Sequence, residues 1–159
     1  MNDCVIPGSF DPPTRGHLDL IRRASFVFDE VTVAVMVNRA KEGAVPLQKR
    51  ADLLRKACRK YKNVKVDVWD GLLAEYMRRR PGTPVIRGIR NAAEFEQEIT
   101  AFTVNKALLP EFETIFIPAD HELAAVSSSA VREVASFGGD IRPFIPEEIQ
   151  DEVWQCLHC

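Results

Sequence analysis

The chain has 159 residues, 46% of them apolar and 28% charged, with 21 basic against 23 acidic groups for a net charge of −2. That balance predicts a single globular domain over residues 1–159 and gives no global electrostatic case for nucleic acid. No apolar run approaches the roughly 20 residues that span a bilayer. Met1-Asn2-Asp3 shows no basic region leading into a long apolar one, so a cytoplasmic location, away from membranes, is expected.

Cys4-Val5-Ile6 reads as a short apolar strand, and beyond it runs the segment Pro7 to His17 (PGSFDPPTRGH). Leu18, Ile21 and Phe28 then fall near helical spacing, so this segment is a strand-to-helix turn. Gly8 and Gly16 allow close backbone approach, and the new helix turns its free N–H groups toward the turn. Such a helix start is a ready phosphate site, with His17 aimed into it. The plainer reading is a surface turn in which His17 is only a polar helix-start residue.

Val31 to Val37 is an almost unbroken β-branched run, the pattern of a strand covered on both faces. A polar loop, Asn38 to Gly43, carries Lys41. Gln48 to Tyr61 is an amphipathic helix with Leu53, Leu54 and Ala57 inward. Val64 to Val68 is a third strand, and Leu72 to Arg80 a short helix closed by Pro81-Gly82. Pro84-Val85-Ile86 makes a fourth strand, leading into Arg87-Gly88-Ile89-Arg90. Phe95, Ile99 and Phe102 then mark a helix running to about Leu109, where Pro110 stops it. Thr114 to Ile117 is the fifth strand. A loop over 118–126 precedes a helix opened by Ser127-Ser128-Ser129 and ended by Gly138-Gly139, and Pro146-Glu147-Glu148 starts the last one.

Four cysteines form no evident disulfide framework. Cys4 and Cys58 fall on predicted buried elements and behave as small hydrophobes. Cys156-Leu157-His158-Cys159 supplies at most three ligands where structural zinc wants four, so no metal centre is expected there.

Strands alternating with helices predict an α/β fold, a doubly wound parallel five-stranded sheet with right-handed crossovers. In such a sheet the ligand crevice lies at the carboxyl ends of the strands. That rule brings together Ser9 to His17, Lys41, Leu72 with Leu73, Arg87 to Arg90, and Leu123 to Ser129. One imidazole, one ammonium, two guanidiniums and two helix N-termini make a polyphosphate site. Each has a plainer alternative: Lys41 solvated in its loop, Arg87 and Arg90 paired with Glu94 or Glu98, the serines a simple helix cap. A guanidinium directly after a buried strand nonetheless calls for an anion.

Pro7-Gly8-Ser9-Phe10-Asp11-Pro12 with Thr14-Arg15-Gly16-His17, then Arg87-Gly88-Ile89-Arg90-Asn91, Glu94 to Glu98, and Val126 to Arg132 resemble the bacterial phosphopantetheine adenylyltransferases over nearly the whole chain. The resemblance implies a Rossmann-like nucleotidyltransferase fold. It places a transition-state-stabilising histidine at His17. It puts nucleotide contacts on Ser9, Phe10, His17, Gly88, Ile89, Arg90, Glu98, Leu123, Ala124, Ala125, Val126, Ser127, Ser128 and Ser129. Acceptor contacts fall on Ser9, Lys41, Leu73 and Arg87. Four positions depart from the family pattern: Ser9 for a common threonine, Pro13 for a branched aliphatic residue, Leu123 for an aromatic one, and Pro46 for a threonine or serine cap.

The implied reaction joins ATP and 4′-phosphopantetheine to give dephospho-coenzyme A and pyrophosphate, with coenzyme A as a feedback ligand and a homohexameric assembly. An ionised phosphate nucleophile needs no general base, so catalysis reduces to positioning and neutralising charge. His17, Lys41 and Ser9 form the catalytic set, while Arg90, Ser128 and Ser129 hold the β and γ phosphates. Mg2+ is expected on the ATP phosphates, largely through water. Two rivals remain: a sister nucleotidyltransferase with another phosphorylated acceptor, and a non-enzymatic nucleotide sensor. The RGIRN segment and Leu73 weigh against the first, intact Ser9, His17 and Lys41 against the second.

Overall fold

Residues 1–40 and 42–158 are described by the structure, a computed structural model. Five parallel strands, β1 (Asp3–Gly8), β2 (Glu30–Met36), β3 (Val64–Trp69), β4 (Val85–Ile89) and β5 (Thr114–Pro118), stand in the order β3-β2-β1-β4-β5. Six α-helices lie among the described residues: α1 (Arg15–Val27), α2 (Leu47–Ala57), α3 (Leu73–Arg78), α4 (Ala92–Leu108), α5 (Ser128–Ser136) and α6 (Gln150–Leu157). The doubly wound parallel sheet expected from the alternation is the fold observed.

The period of two along the central strands divides the core between the two sheet faces. Cys4, Ile6, Val31, Val33, Val35 and Ile86 pack beneath α1, α2, α5 and α6, whereas Val5, Ala34 and Val85 meet α3 and Leu109 and Phe112 beyond α4. Each fully buried valine or isoleucine here is worth about 1.5–3 kcal/mol of transfer free energy. The helix α4 differs from the rest: none of its 17 residues is buried.

The sheet opens where the site must sit. β1 stays in register with β2 from Asp3↔Glu30 to Gly8↔Val35 but meets β4 at Val5↔Val85 alone. The strand order reverses there, and β1 and β4 part toward their carboxyl ends, the arrangement that creates a crevice in open α/β sheets. Pro7 has no N–H to give a ladder and lies beyond that last pairing.

Several boundaries shift from the sequence reading. α2 ends at Ala57 rather than Tyr61, because the chain turns tightly through Tyr61 N–H on the Cys58 carbonyl and Asn63 then donates to Ser25 and Phe28 carbonyls. Pro146 opens a single 3₁₀ turn, Glu147–Ile149, before α6 begins. α5 closes in a Schellman motif, with Gly138 at φ +74°, its N–H on Ala135 and the Gly139 N–H on Val134. Cys4 and Cys58 are buried, and desolvation pushes both thiols up to about 12, so they stay inert. Cys159 lies outside the described residues. His158 stacks on Trp154 at 3.7 Å, and its ring nitrogens lie 2.8 and 3.1 Å from the carbonyl oxygens of Trp154 and Ala135, which ties α6 to α5. No helix among the described residues is long and apolar enough to cross a membrane.

Candidate active site

The turn after β1 is built around Phe10. Its backbone sits at φ +50°, a left-handed conformation that a non-glycine residue holds only where its surroundings enforce it. The enforcing contact is the buried ring, which meets His17 edge-on at 4.9 Å. Gly8 makes this possible, since a Cβ there would lie 3.1 Å from the Phe10 ring.

Thr14 and His17 form a reciprocal cap at the start of α1. The Thr14 hydroxyl accepts from the His17 N–H, and the Thr14 N–H donates to His17 Nδ1 at 3.0 Å. A backbone N–H can only donate, so Nδ1 holds a lone pair and the imidazole proton resides on Nε2. Burial, then the Arg87 and Arg90 guanidiniums, lower the His17 pKa to about 4. At neutral pH His17 is therefore an uncharged imidazole with one N–H to offer at a helix N-terminus. That is a donor, not a base.

β4 runs on to Ile89, so Arg87 lies within the strand rather than just after it; its guanidinium and that of Arg90 beyond the strand are both engaged, in the manner of the plainer sequence reading. Arg87 makes a two-pronged pair with Glu98, at 2.9 and 2.7 Å, and also donates to the Pro7 carbonyl at 2.7 Å across the parting of β1 and β4. Arg90 pairs with Glu94 and reaches the Val126 carbonyl at 3.3 Å. Glu94 and Glu98 stand one turn apart on α4, so a single helix face supplies the counter-charge for both. These carboxylates keep the cations in place and neutralised.

The start of α5 faces the start of α1. Ser127 is its N-cap and accepts from the Ala130 N–H, while the Ser128 hydroxyl donates to the Pro12 carbonyl at 2.7 Å. Two positive helix ends thus converge on one space.

That space comprises two adjoining cavities. One, of about 570 Å³, is lined by Phe10, His17, Gly88, Arg90, Leu123 and Val126 to Ser129. The other, of about 780 Å³, is lined by Leu72, Leu73, Met36, Phe102, Arg39 and Asp70. Both are in the size range of small-molecule sites. Pro7, Gly8, Ser9, Arg87 and Glu98 line both, so the Arg87–Glu98 pair and the Ser9 turn form the boundary. Leu73 stands in the larger cavity, apart from the helix ends. Ile89, Ala124 and Ala125 lie on the expected segments but line neither cavity. Lys41 lies outside the described residues; Arg39 on one side of it and Glu42 and Gly43 on the other border the crevice. The described residues contain no cluster of three or more His, Cys, Asp or Glu side chains able to cage a metal.

Sequence reasoning missed Asp11, Arg50 and Arg132. The Asp11 carboxylate accepts from the Ala44 and Val45 N–H groups, Arg50 donates to the Val45 and Ser9 carbonyls, and Arg132 donates to the Asp11 carbonyl. A signal existed for Arg50: it lies on the inward stripe of α2 with Leu53, Leu54 and Ala57, where an arginine is out of place unless it has work.

Residues 5–134 match the family model described as cytidylyltransferase-like. The chain is 44% identical over 155 residues to the phosphopantetheine adenylyltransferase of Rubrobacter xylanophilus, covering 98% of this chain and 94% of the relative. It is 42% identical over 149 residues to that of Clostridium perfringens, covering 94% and 91%. Among solved structures, the Plasmodium falciparum nicotinic acid mononucleotide adenylyltransferase complexed with NaAD superposes with a TM-score of 0.70 at 16% identity, covering 97% of this chain and 95% of the other. At that identity the likeness is one of fold.

Proposed function

The chain belongs to the cytidylyltransferase-like family, with the phosphopantetheine adenylyltransferases, and from that premise we propose that the crevice transfers the adenylyl group of ATP to the phosphate of 4′-phosphopantetheine, giving dephospho-coenzyme A and pyrophosphate. The observation that carries the reading is the neutral His17, its Nδ1 occupied by the Thr14 N–H, between two converging helix N-termini. The 570 Å³ cavity takes the nucleotide and the 780 Å³ cavity the pantetheine arm, beside apolar Leu72 and Leu73.

An oxygen of the acceptor phosphate attacks the α-phosphorus, and the bond to the pyrophosphate oxygen breaks opposite it. The nucleophile is already ionised, so no proton moves to the protein. What the residues supply is alignment and a preorganised set of donors. His17 Nε2–H donates to an α-phosphate oxygen whose charge grows in the transition state. Arg87 moves from Glu98 to the acceptor phosphate beside the Ser9 hydroxyl, and Lys41, outside the described residues, is the second cation this reading assigns to the acceptor. Arg90 and the α5 N-terminus hold the outer phosphates. Mg2+ would accompany the ATP phosphates and supply charge neutralisation there, with Arg90 and Ser127 to Ser129 holding those phosphates.

The same reading extends to a cytoplasmic enzyme subject to coenzyme A feedback and acting as a homohexamer. α4 supports self-association: Phe95, Ile99, Val104 and Leu108 are exposed on a helix with no buried residue, and Phe95 meets Phe116 of the edge strand β5 edge-on at 5.3 Å. The deciding assay is pyrophosphate release from ATP with a panel of acceptors. 4′-Phosphopantetheine should turn over far faster than nicotinamide mononucleotide or glycerol 3-phosphate. Equal turnover of nicotinamide mononucleotide would overturn the substrate assignment.

A further inference from the structure

α4 turns an unexpected face to the sheet. Over residues 91–100 only Glu94 and Glu98 are partly shielded from solvent, while Phe95 and Ile99 beside them are exposed. An amphipathic helix does the reverse, and a covered carboxylate is costly unless its charge is met. Here each meets an arginine. Glu98 grips Arg87 with both its oxygens, at 2.9 and 2.7 Å, and one Glu94 oxygen takes Nε and Nη2 of Arg90 at 2.8 and 2.6 Å. The carboxylates are the more deeply set partners, their side chains 16% and 18% exposed against 33% for each guanidinium. Such pairs add little to folding, since packed apolar side chains often replace a covered ion pair at no loss.

Arg50, on the same crevice, is fixed by two backbone carbonyls, those of Val45 and Ser9. Arg87 and Arg90 each have one carbonyl, Pro7 for the first and Val126 for the second, and one carboxylate. The carbonyl is an anchor that the guanidinium can keep, whereas the carboxylate is an anion that another anion can displace. We propose that Glu98 and Glu94 are resident anions of the crevice: they compete with the acceptor phosphate for Arg87 and with the ATP phosphates for Arg90, and they take the arginines back as product leaves. The inference rests on the reading above, which gives Arg87 to the acceptor and Arg90 to the nucleotide. Two unopposed guanidiniums beside two helix N-termini would hold the phosphates of substrate and product alike. Tight binding of that uniform kind lowers KM without raising kcat, and it delays the release of dephospho-coenzyme A and pyrophosphate. A competing carboxylate removes the surplus and leaves each arginine aimed. Standing one turn apart on one helix, the two glutamates oppose the two substrates separately.

Dissociation constants for 4′-phosphopantetheine and for ATP, each alone, are measured by calorimetry on Glu98→Gln, Glu94→Gln and Arg87→Ala. Glutamine keeps the shape and one acceptor but removes the charge. Glu98→Gln should tighten 4′-phosphopantetheine about tenfold, the scale of one charge-assisted hydrogen bond, and move ATP less than about threefold. Glu94→Gln should do the converse. Glu96→Gln makes the same change of charge at an exposed position of the helix and should move neither ligand. Weaker or unchanged binding of the matching ligand would make the carboxylate a positioning or ligand-contacting group and overturn the proposal. Equal tightening of both ligands in one variant would be a general effect of charge and would overturn it too. A side chain that served only the fold could not raise affinity when its charge is removed. If Arg87→Ala leaves 4′-phosphopantetheine binding intact, the assignment of Arg87 to the acceptor fails and takes the Glu98 half with it. Thermal melts accompany each variant: if Glu98→Gln does not fold, Glu94→Gln carries the comparison through ATP, and if neither folds the carboxylates are structural and the proposal falls.

Discussion

Replacing His17 by glutamine, asparagine and alanine separates the two jobs of its ring. Nδ1 accepts the Thr14 N–H at 3.0 Å, and Nε2 carries the proton that faces the crevice. Asparagine places an acceptor near the Nδ1 position but has nothing at Nε2. Glutamine places an amide N–H near Nε2 but leaves the Thr14 N–H unmet, and alanine loses both. Removing one preorganised donor to a developing oxyanion costs about 100- to 1000-fold in turnover. His17→Ala and His17→Asn should both fall by that factor, with His17→Gln well above them. Stability should follow a different order. An unmet, partly buried N–H costs on the order of 1 kcal/mol, which in a domain of this size lowers Tm by roughly 2–4 °C. Glutamine and alanine should show that fall and asparagine should be spared. Turnover at saturating substrates, ATP affinity by calorimetry and melting by scanning calorimetry complete the comparison, and ATP affinity should change little. If turnover tracks Tm across the three variants, His17 acts only as the capping partner of Thr14 and its catalytic role is wrong.

Two further outcomes follow from the same geometry. Arg90→Ala should raise the KM for ATP much more than it lowers kcat, because the guanidinium holds phosphates in ground and transition states alike; unchanged ATP affinity with lost turnover would reverse that division of roles. In the ligand-free protein the His17 ring should titrate near pH 4 rather than at its ordinary 6.5, followed by NMR of the three histidines. The unfolded chain takes up that proton first as pH falls, so the stability due to neutral His17 is complete above pH 6.5 and lost between 6.5 and 4; a midpoint near 6.5 would contradict it.

The strand order could not be read from the chain, but the alternation that dictates a parallel sheet could, because Val31 to Val37 and Pro84 to Ile86 are apolar on both faces. The rule that ligands gather at the carboxyl ends then placed Ser9, His17, Arg87, Arg90 and Ser127 to Ser129 in one crevice, where the structure has them. Which anion each arginine meets was not legible, since a guanidinium on β4 reads the same whether its partner is phosphate or Glu98. What Asp11 and Arg50 hold stayed hidden for another reason, although the place of Arg50 on the inward stripe of α2 marked it as unusual. Their partners are backbone groups about 34 and 41 residues away, and backbone leaves no trace in residue identity.

The contacts that close the crevice have a consequence for how the chain comes into being. Arg87 reaches Pro7 across 80 residues of sequence, Ser128 reaches Pro12 across 116, and Arg132 reaches Asp11 across 121. The Ser9–His17 turn leaves the ribosome well before Arg132, and the second helix end that faces it does not exist until Arg132 has emerged. At about 5–20 residues per second, that interval lasts roughly 6–23 s. Through all of it the nascent chain has the Ser9–His17 segment without the helix end that faces it. A nucleotide held by both helix ends, as proposed above, therefore meets only the finished sheet.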